Sequence, residues 1–318
     1  YLGLFFYFMA LISFWASLVF YNSYLPDIAN KDQQDYISAK GYALGYVGSV
    51  ILLIFNLAMV MFPDSFGIEG VNPELTAMKY SFVSVGLWWI IFSQYTFHHL
   101  PIITDKRKII KHVIFNGFKE LQEVWNELRH IIIIKKFLIA FFIYSSALQT
   151  VLIIATYFGE QEIAWKEGTK TTGLIISILL IQLIAIIGAM FTAKISKKIG
   201  NIRTLLILNL IWAFLCIGAY FIKEPIEFYI AAGAVGLVMG GIQALSRSTF
   251  SKLIPDTDNT TSYFSFFDVS QKVSIVLGMT LFAILDQTTG SMRISILIFV
   301  LIFLIGAFLL NKIKIKNV

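Results

Sequence analysis

DKRKIIKHVIFNGFKELQEVWNELRHIIIIKK, residues 105–136, is the one long charged run in the chain. Three hydrophobic stretches precede it and six follow it, so its reading decides how the remainder is divided. Within it Ile110, Ile114, Phe118, Leu121, Trp125 and Leu128 recur at spacings of three and four, while Lys111, Lys119, Glu120, Glu123 and Glu127 fall mainly elsewhere. That pattern predicts an amphipathic helix lying on a membrane surface rather than crossing it. A solvated linker helix joining two bundles is the alternative, with much the same consequence.

Working outward, 58% of the 318 residues are hydrophobic and 14% are charged, against about 25% charged in soluble domains. The apolar stretches approach 20 residues, enough for a helix rising 1.5 Å per residue to cross a hydrocarbon layer of about 30 Å. No alternating strand pattern is present, so the expected fold is an all-α polytopic membrane protein. Nine spans are read, at 1–24, 41–62, 78–98, 134–158, 171–193, 202–222, 227–247, 263–285 and 291–311. They imply three parts: a three-span bundle in 1–100, a cytoplasmic central loop with its amphipathic helix in 101–133, and a six-span bundle in 134–318. Tyr1 stands almost inside the first span with no initiator Met and no basic leader, so the expectation is that a longer protein extends upstream.

Lys and Arg give the orientation. Nineteen fall in one set of alternate loops, among them Lys31, Lys40, the 106–136 run, Lys194, Lys197, Lys198, Arg203, Arg247 and Lys252. Five fall in the other: Lys79, Lys166, Lys170, Lys223 and Arg293. The positive-inside rule then places the central loop and the carboxyl terminus in the cytoplasm of a multi-pass cell-membrane protein, inner or plasma membrane. The formal charge of +6 is explained by these loops, so nucleic-acid binding is excluded. The lone Cys216 lies in a span and rules out a disulfide framework. His98 and His99 are adjacent and point to different sides of a helix, with no acid or thiol to complete a metal site.

Polar groups inside spans are the candidate functional residues. Tyr144, Ser145, Ser146, Gln149 and Thr150 cluster in the fourth span, where they can hold a polar solute or bond a neighbouring helix. Gln182 in the fifth span, Gln243 in the seventh and Asn56 in the second carry the same two readings. In the second span Gly41, Gly45 and Gly48 share a face that suits close helix packing, and Gly240 and Gly241 allow close contact or a bend in the seventh. The eighth span holds Asp268 and Lys272 four residues apart on one face. A lysine at membrane depth costs on the order of 3 kcal/mol unless paired or hydrated, so Lys272 is expected to face inward and pair with Asp268. The pair reads as a gate that rearranges, a ligand for a carboxylate, or a fixed structural bond.

The segments YNSYLPDIA (21–29), GYALGYVGS (41–49), GLWWIIFSQ (86–94), QTVLIIATYFGEQE (149–162), GGIQALSRSTFSKLIP (240–255), YFSFFDVSQKVSIVLG (263–278) and TGSMR (289–293) resemble the UMF1 branch of the major facilitator superfamily, the Atg22-like vacuole effluxers. The likeness covers nearly the whole chain, and its order of QALSRS, LIP, FDVSQK and TGSMR is its specific part. It implies a major facilitator superfamily fold in which the nine spans match spans four to twelve, a solute site near the midplane, and alternating access. For fungal relatives it implies efflux of neutral amino acids from the vacuole. The chain departs from the pattern at AKISKKIGN (193–201), where Ser196 stands in place of the Asp that many members carry in a gating loop.

The expected function is therefore a secondary transporter of a small polar organic solute by alternating access, with amino-acid efflux the case the resemblance implies. Tyr144, Gln149, Gln182 and Asn56 are the expected substrate residues. Asp268, Lys272, Arg247 and Gln243 are the expected gate, with Asp268 the group that would carry a coupled proton. The partners are a solute and the lipid bilayer, the expected state is a monomer, and no cofactor is called for. A non-transporting scaffold or receptor on the same fold is the rival. An enzyme is set aside because no nucleophile with His and acid, metal cluster or phosphate loop is present.

Overall fold

The computed structural model describes residues 1–100, 113–255, 257 and 259–313, with the backbone alone for 113–116. Ile110, Lys111 and the basic residues 106–108, 314 and 316, and the side chain of Ile114, lie outside the described residues. Among the described residues every regular element is helical: α1 (Leu2–Ser23), the short α2 (Leu25–Ile28), α3 (Gln34–Met61), a 3-10 turn at Pro63–Phe66, α4 (Pro73–His99), α5 (Val113–Leu128), α6 (Ile132–Glu162), α7 (Lys170–Ile199), α8 (Asn201–Phe221), α9 (Pro225–Leu253), α10 (Thr260–Thr289) and α11 (Met292–Asn311). Nine of these helical segments, with α1 and α2 counted as one, have the length and composition to cross a membrane. The protein is a multi-pass membrane protein. α5, described over 16 residues, is not among the nine.

The helices run past the hydrophobic stretches by as much as two turns, because a helix continues until its backbone is capped and not until its side chains become charged. α3 starts at Gln34 rather than near residue 41, which brings Asp35 and Ser38 into the helix. Pro26 does not open a loop, as its ring had suggested. It sits in the first turn of α2, where the missing N–H has no intrahelical partner to lose, and Asp27 shares that turn.

The chain divides into two compact units, one of residues 1–44 with 114–318 and one of 45–113. In the smaller unit Met59, Ile68 and Ala77 form a buried cluster, and the Ser84 hydroxyl donates to Asn56 Oδ1 at 2.6 Å. Much of the apolar surface of α4, including Phe82, Ile90 and Ile91, is exposed, as suits a helix solvated by lipid.

In the larger unit α7 and α9 meet almost backbone to backbone. A Cβ on Gly188 would strike the Leu237 carbonyl, one on Gly236 the Ile181 carbonyl, and one on Gly240 that of Ala185. Gly240 and Gly241 thus serve close contact, the latter against Thr192. Trp212 of α8 stacks on Phe303 of α11 at 5.7 Å, and Gly278 of α10 lies against Ser146 and Thr150 of α6. Arg293, at the start of α11, staples three helix ends. It donates to the Glu162 carboxylate at 2.7 Å and carbonyl at 2.8 Å, and to the carbonyls of Tyr220 and Ile222 at 2.8 and 2.5 Å.

α5 is amphipathic, but its buried side is not the full stripe read from spacing. Val124 and Leu128 are buried, whereas Phe118 is 71% exposed. The reason is polar: Glu120 accepts from Ser262 and Asn259, and Glu127 from Tyr263, so the acids bind the first turns of α10. Trp125 stacks on Phe266 at the margin of this contact, 5.6 Å between centroids.

Candidate functional site

A small chamber in the larger unit collects side chains from five helices: Asn22 of α1, Tyr42 of α3, Phe141 and Leu148 of α6, Gln243, Ser246 and Arg247 of α9, and Phe267 and Gln271 of α10. Its volume is about 30 Å³, room for roughly one or two waters and an order of magnitude below an ordinary ligand pocket. Phe141 and Phe267 stack at 4.1 Å to make its apolar side. A larger opening of about 310 Å³ beside Gly117, Phe118, Glu120, Leu121, Ser262 and Ser265 lies at the α5 margin.

Arg247 is the centre of the chamber's polar side. Its exposure is 4%, and among the described residues its hydrogen bonds go to neutral oxygens: Nε to Ser38 Oγ at 2.9 Å, Nη2 to the Ser38 carbonyl at 3.0 Å, and Nη1 to Asn22 Oδ1 at 3.1 Å. The Ser38 hydroxyl donates onward to the Ala244 carbonyl at 2.7 Å. The guanidinium lies 5.2 Å from the centroid of Tyr21 and 4.8 Å from that of Tyr42, within cation–π range. A planar fork with five donors can grip two helices in this way, which a lysine could not.

Gly41 is the residue that makes the grip possible. A Cβ there would collide with the Tyr21 hydroxyl and lie 3.3 Å from Arg247 Nη2, whereas Gly45 has nothing within 4 Å and Gly48 meets only Trp88 at 3.8 Å. The glycine series in α3 is therefore not one packing stripe. Its first member clears space for a guanidinium.

The expected site residues are brought together only in part. Arg247 and Gln243 line the chamber. Asp268 and Lys272 follow its residues Phe267 and Gln271 on α10. Lys272 Nζ is 3.8 Å from Asp268 and sits over the Trp15 ring of α1, 3.0 Å from the centroid, so the ammonium is shared between a carboxylate and a π face. Tyr144 is fully buried and bonds Ser246 Oγ at 2.7 Å, one residue away from the chamber wall. Gln149 is half-buried on α6 and is not among the chamber's lining residues. Gln182 is half-buried on α7, its Oε1 without a hydrogen-bond partner among the described residues. Asn56 belongs to the smaller unit, on Ser84.

Sequence reasoning missed Asn22, Ser38, Tyr42 and Gln271, and it missed Asp35. This carboxylate, 8% exposed, accepts from Lys252 Nζ at 2.6 Å and Ser196 Oγ at 3.3 Å on one oxygen and from Asn201 Nδ2 at 2.8 Å on the other. The signal was present: Asp35, Ser38, Gly41 and Tyr42 repeat at helical spacing, but hydropathy starts the span only at residue 41.

The model of the family described as "Vacuole effluxer Atg22 like" matches residues 1–317. The chain is 28% identical over 313 residues to the uncharacterized MFS-type transporter YxiO of Bacillus subtilis, covering 96% of this chain and 70% of that one. It is 26% identical to autophagy-related protein 22 of Yarrowia lipolytica, covering 86% of this chain and 50% of the relative, and 26% identical to that of Saccharomyces cerevisiae, covering 88% and 57%. The chain thus spans about half the length of these yeast relatives. Among solved structures it resembles FucP, a major facilitator superfamily transporter, in the outward conformation, with TM-score 0.64 at 14% identity over 93% of this chain and 72% of that one. A variant of the Escherichia coli fucose:proton symporter FucP gives 0.63 at the same identity, over 93% and 73%. The fold is that of the major facilitator superfamily.

Proposed function

The chain belongs to the vacuole effluxer Atg22-like family, and on that premise we propose that it carries a small polar organic solute across the membrane by alternating access, with neutral amino acids as the leading substrates and efflux as the direction. One observation carries the reading: Arg247 of α9 is bonded to α1 and α3 at the wall of a polar chamber too small for any solute. A solute can enter only if α9 parts from α1 and α3, and bonds to neutral oxygens are ones that water can replace as the helices separate. Asn22, Tyr42, Gln243, Ser246 and Gln271 supply amide and hydroxyl groups for a polar solute, and the Phe141–Phe267 stack supplies an apolar contact for its side chain.

In this reading Asp268 and Lys272 act as the charged gate beside the chamber and Asp268 carries the proton of a coupled cycle. Tyr144 acts through Ser246 rather than by touching solute. The test is uptake by the purified intact protein in proteoliposomes, over a panel of amino acids, peptides and sugars, with thermal stabilisation by the same solutes as a second readout, since a ligand that binds the folded state raises its apparent stability. Saturable uptake of a neutral amino acid, with matching stabilisation, is expected.

A further inference from the structure

Three cations drawn partly into the larger unit are matched by acids: Lys252 Nζ lies 2.6 Å from Asp35, Arg293 Nε 2.7 Å from Glu162 and Lys272 Nζ 3.8 Å from Asp268. Arg247 is more buried than any of them, at 4% exposure, yet among the described residues it has no carboxylate within ion-pair distance. A guanidinium carries five N–H donors. Nε, Nη1 and Nη2 each donate once, to Ser38 Oγ, Asn22 Oδ1 and the Ser38 carbonyl, so one N–H on each Nη has no acceptor among the described residues. Burying a charge without its opposite is costly, and the surplus donors face a requirement that neutral oxygens only half meet. Resting on the transport reading above, we infer that Arg247 sets the substrate class: when α9 parts from α1 and α3, its guanidinium takes the carboxylate of the solute, and the solutes carried are small organic monocarboxylates, amino acids among them, whose amino group is dispensable.

Separation of the helices removes Ser38 and Asn22 from the guanidinium and leaves it at a wall shared with Phe141, Leu148 and Phe267. A carboxylate is the acceptor best suited to replace them. Its two coplanar oxygens match the planar fork, and charge-assisted hydrogen bonds are about twice as strong as neutral ones, whereas water offers only the neutral kind. A carboxylate therefore stabilises the separated arrangement more than the closed one, which is the differential affinity a solute needs in order to shift the equilibrium. An ammonium finds no equivalent. None of the lining residues is Asp or Glu, Asp268 beside them is engaged by Lys272, and a positive group is left with carboxamide oxygens and ring faces. Arg247 is also the only cation among the lining residues, so a second carboxylate on the solute would be buried unpaired.

The experiment measures thermal stabilisation of the intact purified protein by leucine and three analogues: isocaproate, which lacks the amino group, leucinamide, which lacks the acid, and isoamylamine, which lacks the carboxyl carbon. Phenylalanine, hydrocinnamate, phenylalaninamide and phenethylamine form a parallel set. Each apparent affinity is read from the concentration dependence of the shift. Amino acid and amino-free acid are expected to bind within about tenfold of each other, the scale of an ammonium on a ring face. Amide and amine are expected to bind roughly 10- to 100-fold more weakly, the scale of a lost charged hydrogen bond. In Arg247→Gln acid and amide are expected to bind alike; Arg247→Lys, with a reduced preference for the acid, serves if the glutamine variant does not fold, and the parent series decides if neither does. Amide or amine binding as tightly as the acid, failure of isocaproate where leucine binds, a preference that survives Arg247→Gln, or one that is lost in Lys272→Gln instead, overturns the assignment and leaves transport standing. Uptake of a sugar with no carboxylate bound does the same. A folded parent that neither binds nor takes up any solute overturns the transport reading, and the assignment falls with it.

Discussion

Arg247 holds α1 and α3 with one guanidinium, and the neighbouring glycine determines whether it fits. Arg247→Lys keeps the charge but cannot reach Ser38 and Asn22 together, so transport is expected to fall about tenfold or more while insertion is retained, as read by uptake per inserted protein. Gly41→Ala is expected to destabilise by about 1–3 kcal/mol through the collision with Tyr21 and Arg247. Gly45→Ala, with open space around it, is expected to be neutral or slightly stabilising; equal effects at the two positions would remove the special role of Gly41. Lys272→Ala is expected to abolish transport with the protein still inserted, and Lys272→Ala with Asp268→Ala to recover folding but not activity. A fully active double variant would reduce the pair to a structural bond. At this scale the sequence was informative about chemistry and poor about partners. The i, i+4 spacing of Asp268 and Lys272 defines their proximity, but nothing in the chain indicates Trp15 as the ring beneath Lys272, or that Gly41 answers to an arginine 206 positions away.

Helix pairs differ in how they are fastened, and the difference predicts which ones move. The α7–α9 seam is backbone against backbone, so Gly240→Ala must push the Ala185 carbonyl aside and is expected to cost about 1–3 kcal/mol in thermal unfolding. Gly218→Ala on α8, with nothing within 4 Å, is the control and is expected to gain slightly from helix propensity. Element existence was legible because each span is a long uninterrupted apolar run. Element ends were not, since α3 and α9 continue through Asp35, Ser38 and Lys252, polar residues that a hydropathy reading assigns to loops and that tertiary hydrogen bonds draw into the helix. α5 shows the same effect: spacing found its amphipathic character and set Glu120 and Glu127 mainly off the apolar stripe, while tertiary hydrogen bonds to α10 make them part of the contact.

On the scale of the whole molecule, composition alone separates this chain from soluble proteins, and the order of its motifs points to the family that the 1–317 match establishes. The chamber was not legible, because its five helices come together from residues 22 to 271 and the bonds at its wall, such as Arg247 to Ser38 across 209 positions, follow from tertiary placement rather than local pattern. At about 30 Å³ the chamber is too small for an amino acid, so the proposed transport cycle requires its helices to separate before solute is bound. The most direct test of that claim is uptake by the intact protein reconstituted in proteoliposomes, comparing the parent with Arg247→Ala. The account predicts saturable uptake of at least one neutral amino acid by the parent and its loss in the variant. A well-folded, inserted parent that takes up no member of the amino-acid, peptide and sugar panel, or a variant that transports as well as the parent, would contradict it.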